Sequence, residues 1–494
     1  DFIYKIFPKP QDTITDVFKW HAQNLYSTNP LTRDIVRMPR DLSHKTLPVG
    51  NLGSHIVSYP YSNRDQEHLP KREEALQRMK FTLLPGILGS IHWKSWDETI
   101  QTEGSWYNQV QKITATDVRA EIDRLHAKGF KLYPYFRQMY LSFAYRDNQP
   151  PYKRWLIRGK EGWPFNVSLG ASSDPAASLR FDLAKAMELA GVDKDTTKVN
   201  MFHADFCNEE FRKWYIADVK KAMDNYDFDG IFFDMGWDMH VAFCANHPET
   251  GVHNGILRVM YDVWKWLKEK YPERKIIMNF SHQPTHLYVD AVDIEAGSRT
   301  DKLMMDVLKI YNTPVINLYY PALFAARYNS ASNWTILYSQ DIMRILSYGA
   351  TYGGQGAEFG YLYDEYSEEM GADFQKRMEG VAGFSAKANS VPWVTESHAI
   401  SIEPEIKVTG SVWADSKNLM VAIFNDRDET TAIKAKIDKN ILTKYGQEGK
   451  ESLRFTVHAS NGFPRPDNSF SGKVSGGDMI IEGKLGSKEL LLVE

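Results

Sequence analysis

From residue 81 onward, short continuous apolar runs alternate with longer stretches whose apolar positions recur every three or four residues. Runs of the first kind suit strands buried on both faces, and stretches of the second suit helices with one buried stripe. Their alternation implies parallel strands joined by crossover helices. Candidate strands fall at 81–84, 130–135, 199–203, 231–233, 275–279, 291–295, 314–318 and 347–351. Between them, Val118, Ile122 and Leu125 mark a helix that Thr116 can cap and Gly129 ends. Phe211, Tyr215, Val219 and Met223 mark another, with Asn208 as its cap and Glu209 and Glu210 in its first turn. A third carries Ile256, Val259, Met260, Val263 and Leu267. Eight strand–helix units predict an α/β chain built on a (β/α)8 barrel over residues 79–392.

The flanks read differently. Residues 1–78 show no clean period and many turn formers (Pro30, Pro39, Pro48, Gly50, Gly53, Pro60), with one candidate helix at 16–25 behind Thr15. They predict an irregular N-terminal segment. Beyond 392 the helical period disappears, and runs at 419–424, 479–482 and 490–493 separated by Gly, Asn and Asp turns predict a C-terminal antiparallel β-sandwich over 393–494. The 142–197 stretch is too long for a bare connection and is expected to serve function.

Composition narrows the class. Hydrophobic residues make up 43%, and 13 Trp with 26 Tyr exceed what a core needs, leaving flat apolar rings for stacking on sugars. Lys and Arg total 59 against 63 Asp and Glu, with no long single-sign run, which argues against the basic face a nucleic acid requires. No apolar run approaches the ~18 residues of a membrane span. Asp1 opens the chain, so no leader is visible in it, and a secreted or periplasmic protein is the expectation. Cys207 and Cys244 each follow a predicted strand end, compatible with one disulfide or with two thiols. The sequence sets no oligomeric state.

The chemistry centres on Asp229-Gly-Ile-Phe-Phe-Asp-Met-Gly-Trp-Asp238, where a buried strand ends abruptly on Asp234. The C-terminal ends of barrel strands are where active sites are built. Collecting those ends gives Arg137, His203, Asp205, Asp234, Asp238, Asn279, His282, Asp293, Glu295 and Tyr319, with Trp93, Trp96, Trp237 and Tyr140 as nearby rings. Acidic and aromatic groups dominate. Glycoside hydrolysis needs two carboxylates flanking one bond, one attacking or activating water and the other protonating the leaving oxygen. An aspartate that merely caps a helix, or a ring that merely packs, is the alternative at each position.

Four segments in succession carry a resemblance: Gly129-Phe-Lys-Leu-Tyr-Pro-Tyr, Arg154-Trp-Leu-Ile-Arg-Gly-Lys-Glu-Gly-Trp-Pro, Asp205-Phe-Cys-Asn-Glu-Glu-Phe-Arg-Lys-Trp and Tyr226-Asp-Phe-Asp-Gly-Ile-Phe-Phe-Asp234. Their order and spacing over roughly residues 80–300 resemble the retaining α-glycosidase clan of glycoside hydrolase families 27, 31 and 36. The resemblance implies Asp234 as nucleophile and an acid/base at the end of the sixth strand, where Glu295 is preferred and Asp293 is the alternate. It implies an exo-acting, α-galactosidase-like hydrolase with a carbohydrate substrate and no cofactor. Arg137, Tyr140, Trp93, Asp205, His203, Trp237, Asp238 and His282 are the expected sugar contacts, with no metal. Departures are plain: Phe232 stands where the α-galactosidase family carries a sugar-contacting lysine, and Asp-Ile-Glu replaces its Ser-Asp-Asn motif. Three other readings compete. They are an endo-acting or inverting glycosidase, a metal-dependent barrel hydrolase using His203, Asp205, Asp234, Asp238 and His240, and a sugar-binding barrel without catalysis.

Overall fold

A computed structural model of the chain describes residues 29–35, 51–52, 73–74, 76–78, 81–85, 99–104, 109–137, 140–142, 155, 201–203, 205–234, 252–279, 285–295, 305, 315–319, 334–354, 368–394, 396, 399–450, 452–466 and 469–494. The predicted helix at 16–25 and nearly all of the 142–197 stretch lie outside them. A short strand β1 (Asn51–Leu52) runs parallel to β2 (Phe81–Pro85). The chain divides into two compact units, one holding Pro85–Val289 and the 29–35 turn, the other holding Asp290–Glu494 with β1 and most of β2.

The first unit opens with a hairpin that the periodicity did not announce, β3 (Thr99–Gly104) antiparallel to β4 (Gln109–Thr114). Helix α1 (Ala115–His126) follows directly, so Thr116 lies within its first turn rather than capping it. Val118, Ile122 and Leu125 are buried as predicted, and Gly129 ends the segment at a φ of +82°, a region other residues rarely adopt. The predicted strand at 130–135 is two pieces, β5 (Lys131–Tyr133) and β6 (Tyr135–Arg137), split at Pro134. Proline lacks an N–H for the ladder, but its carbonyl still accepts from Phe232 N at 3.0 Å.

Strand β7 (Tyr140–Ser142) pairs antiparallel with β8 (Met201–His203). The run at 199–203 was expected as a parallel barrel strand, and this pairing corrects that expectation. Helix α2 (Glu209–Asn225) is capped by Asn208, whose side chain accepts from Phe211 N, and it buries Phe211, Tyr215, Val219, Ala222 and Met223. Strand β9 (Gly230–Asp234) lies parallel between β6 and β10 (Lys275–Asn279), and α3 (Val252–Lys270) connects β9 to β10. Ile231, Phe232, Phe233, Ile276, Ile277 and Met278 are wholly buried, the two-sided burial that the continuous apolar runs predicted.

In the second unit β11 (Ala291–Glu295), β12 (Val315–Tyr319) and β13 (Thr351–Gly354) form consecutive parallel pairs. The last strand was expected at 347–351. Ser347 instead ends helix α4 (Trp334–Ser347), whose buried Tyr338, Ile342, Ile345 and Leu346 carry the helical period up to the turn, and Gly349 at φ +104° redirects the chain. Helix α5 (Glu368–Ala388) leads to the C-terminal sheets.

These comprise β14 (Ile400–Glu403), β15 (Val408–Ala414), β16 (Leu419–Asn425), β17 (Thr431–Ile437), a short helix α6 (Lys439–Lys444), then β18 (Phe455–His458), β19 (Pro464–Pro466), β20 (Ser471–Ser475), β21 (Asp478–Leu485) and β22 (Leu490–Val493). One sheet runs β15-β16-β22-β18-β19 and the other β14-β17-β21-β20, with their strands paired antiparallel. Both supply one core that includes Val421, Ile423, Ile433, Ala435, Ile437, Ile481 and Leu491. β17 alternates buried and exposed residues, whereas all seven residues of β16 are buried.

The helices account for the difference. Arg344 on α4 lies 5.8 Å over the Phe424 ring and pairs with Asp426, and Phe384 on α5 meets Trp413 edge-on at 5.8 Å. Ser347 Oγ lies 2.6 Å from Thr409 Oγ1, and Ser411 Oγ donates to Ser347 O at 3.0 Å. Among the described residues no helix is long and apolar enough to cross a membrane.

Candidate active site

Asp234 ends β9, and the register sets it level with Arg137 at the end of β6. On the other neighbour, Met278 is level with Phe233, and Asn279 follows it as the last residue of β10. The C-terminal edge of three parallel strands thus reads Arg137, Asp234, Asn279, above a row of Phe136, Phe233 and Met278 that is buried throughout. Asn279 itself is only 1% exposed.

The opposite end of β9 is committed to structure. Asp229 Oδ1 accepts from Lys131 Nζ at 2.7 Å, and its Oδ2 accepts from Leu132 N at 2.9 Å and lies 2.7 Å from His126 Nε2. Its backbone continues the grip, with Asp229 N donating to Leu132 O and Lys275 N donating to Asp229 O. Gly230 completes it, because a Cβ there would lie 2.1 Å from Lys275 O and 2.4 Å from Tyr133 Cε1. β9 is therefore pinned at its start, and its register passes to the residues at its other end. Sequence reading took Asp229 only as the first residue of the strand stretch; the signal was a carboxylate directly before a glycine and an apolar run.

Asp205 is wholly buried and closes a turn. Its Oδ1 accepts from Cys207 N at 2.9 Å, its carbonyl accepts from Asn208 N at 3.0 Å, and its own N–H donates to Trp155 O at 2.6 Å. Trp155 Nε1 also donates to Glu210 Oε2 at 3.3 Å, and its ring packs on Phe211 and Trp214. The two segments that sequence reading placed in order, one around Trp155 and one starting at Asp205, meet through these contacts. Gly255 of α3 lies against the same turn, since a Cβ there would meet Phe206 O at 2.1 Å. Arg212 donates to the carbonyls of Phe206 and Cys207, and burial lowers its guanidinium from its ordinary value. Cys207 is buried, while Cys244 lies outside the described residues.

Tyr140 and His203 are cross-strand partners in the β7–β8 pair. In the second unit Asp293 is 0% exposed within β11 and Glu295 ends that strand, with Tyr319 at the end of β12. Residues 293 and 295, two apart on one strand, share a side of the sheet. Trp93, Trp96, Trp237, Asp238, His240 and His282 lie outside the described residues, as do the side chains of Arg137, Tyr140, His203, Asp234 and Glu295. Among the described residues no three His, Cys, Asp or Glu side chains converge to hold a metal ion.

The sequence matches no family profile and no curated protein. Solved structures do resemble the chain. A maltogenic alpha-amylase from Thermotoga neapolitana is 14% identical with a TM-score of 0.52, covering 91% of this chain and 99% of its own. A cycloisomaltooligosaccharide glucanotransferase from Paenibacillus sp., complexed with cycloisomaltoheptaose, gives 10%, 0.55, 90% and 85% in the same order. An alpha-amylase from H. orenii gives 10%, 0.53, 91% and 100%. At these identities the likeness is one of fold, and it extends over nine tenths of the chain.

Proposed function

We propose that the chain is a glycoside hydrolase that cleaves an α-linked glycoside with retention of configuration. The observation that carries the reading is Asp234, an acidic residue that follows the buried Ile231, Phe232 and Phe233 at the end of a parallel strand and is level with Arg137. The enzymes that share the fold, two amylases and a glucanotransferase, agree with this reading. The finer assignment, an exo-acting, α-galactosidase-like enzyme on a closed (β/α)8 barrel, rests on the motif succession, as does a secreted or periplasmic setting.

In the first step a carboxylate oxygen of Asp234 attacks the anomeric carbon as the glycosidic C–O bond breaks. Glu295, with Asp293 as the alternate, gives its proton to the departing oxygen. In the second step the same residue takes a proton from water, whose oxygen attacks the anomeric carbon and releases Asp234. Arg137, Tyr140, Trp93, Asp205, His203, Trp237, Asp238 and His282 contact the sugar in this scheme.

The test is hydrolysis of a panel of α- and β-linked aryl glycosides by the wild type and by Asp234→Asn. Turnover of one α-glycoside is expected, falling roughly a thousandfold or more in the variant. The first-formed sugar should keep the α configuration by NMR. Cleavage of β-linked substrates alone, or an unaffected variant, would reject the assignment.

A further inference from the structure

Within the first unit, the 29–35 turn, α2 and α3 border a cavity of about 500 Å³, a volume ordinary for a small-molecule site. Pro30, Leu31 and Ile216 make its apolar wall, and charged side chains make the rest. The carboxylates among them are already taken. Asp34 accepts from Arg258 Nη1 at 2.8 and 3.0 Å, Asp262 accepts from Arg258 Nε at 3.2 Å, and Glu209 lies 2.6 Å from Lys213 Nζ. Two lining cations, Arg33 and Arg212, are left over. The exposed Arg33 side chain makes no hydrogen bond or ion pair with the described residues. Half-buried Arg212 gives both of its side-chain hydrogen bonds from Nη1, to the neutral carbonyls of Phe206 and Cys207 at 2.9 and 2.8 Å. Carbonyl dipoles solvate a guanidinium without neutralising it, and a guanidinium stays protonated. Two positive charges therefore line one cavity without a carboxylate of their own.

We infer that this cavity binds a small organic phosphate, whose phosphoryl group takes up Arg33 and Arg212 and whose organic part packs on Leu31 and Ile216. The match is one of charge and of geometry. A phosphate monoester carries nearly two negative charges at neutral pH and presents several acceptor oxygens to the planar forks of two guanidiniums. A carboxylate brings one charge and would leave the other guanidinium unanswered. None of the lining residues belongs to the set assigned to the sugar or to the reaction, so the inference stands independently of the reading of Asp234.

The experiment is calorimetric titration of the full chain with phenyl phosphate, inorganic phosphate and benzoate, on the wild type, Arg33→Ala and Arg33→Glu. Arg33 is exposed and its side chain holds no other described residue, so both variants should fold, which thermal unfolding checks. Phenyl phosphate is expected to bind the wild type at one site with a Kd of roughly 1 mM or below. Inorganic phosphate, which lacks the apolar part, and benzoate, which lacks the second charge, should both bind more weakly. Losing one charged hydrogen-bonding partner should raise the Kd for phenyl phosphate roughly tenfold in Arg33→Ala, and the reversed charge of Arg33→Glu should abolish binding. No saturable binding to the wild type up to roughly 10 mM would overturn the inference. So would an unchanged Kd in Arg33→Glu, which would put the ligand elsewhere on the molecule. Benzoate binding as tightly as phenyl phosphate would refute the dianion, and inorganic phosphate doing so would refute the organic part.

Discussion

Gly230, at the start of β9, is the residue its place demands. At Gly230 the demand is space. A methyl group would stand 2.1 Å from the Lys275 carbonyl, which is backbone and has no room to move aside. Gly230→Ala should therefore cost about 1–3 kcal/mol of stability, the usual range for overpacking a closed core, read as a lower urea midpoint at unchanged slope. A midpoint equal to the wild type would mean that β9 and β10 are not held as closely as described. Single residues were unevenly legible from the sequence. Asn208 announced itself as a cap because a cap acts locally, through the N–H of Phe211 three residues on. Asp205 advertised only a polar residue near a strand end, and its commitment to a turn depends on Trp155, fifty residues earlier, which no local pattern reports.

At the level of elements, the strands read best were those buried on both sides. β10 and β11 occupy the residues expected of them, because apolar runs bounded by polar ends leave little choice of boundary. β13 was placed too early, since the apolar period of α4 runs without a break into the turn at Gly349. β8 was found but its partner was not, because pairing direction is a long-range property with no signature in the strand itself.

A second buried polar group tests the joint between helix and sheet. His458 on β18 is wholly buried, with Nδ1 3.0 Å from Gly462 O and no hydrogen-bond partner for Nε2 among the described residues. Gly380 of α5 leaves it room, since a Cβ there would come within 2.7 Å of the imidazole. Burial lowers the imidazole from its ordinary value, against the smaller opposing effect of the Gly462 carbonyl. An unfolded chain takes up this proton near pH ~6.5 while the folded one resists it, so stability is full above that pH and falls as pH drops toward the folded value. Tm should decline more steeply on acidification from about pH 7.5 to about pH 5.5 in the wild type than in His458→Asn, which keeps a donor for Gly462 O but cannot titrate there. Parallel declines would remove His458 from the acid response.

For the molecule as a whole, alternating strands and helices followed by antiparallel sheets were legible because layer architecture follows from period. The β3–β4 hairpin escaped because its residues, among them Gln101, Glu103, Gln109 and Lys112, give little apolar contrast. The chemistry of the site was legible only as far as residue types at strand ends, since bringing those ends level is the work of the sheet.

One feature of the C-terminal sheets bears on how the protein is made. β22 is the middle strand of its sheet, bonded to β16 on one side and β18 on the other, although it follows both of them in the chain. Until Leu490–Val493 emerge, a nascent chain holds two apolar strand edges apart with nothing between them. A premature stop before Leu490 should therefore yield a product captured by chaperones or found in the pellet, an outcome that fractionation of an expressing cell measures directly. Recovery of the shortened chain as soluble, cooperatively melting protein would show that the sheet closes without its centre.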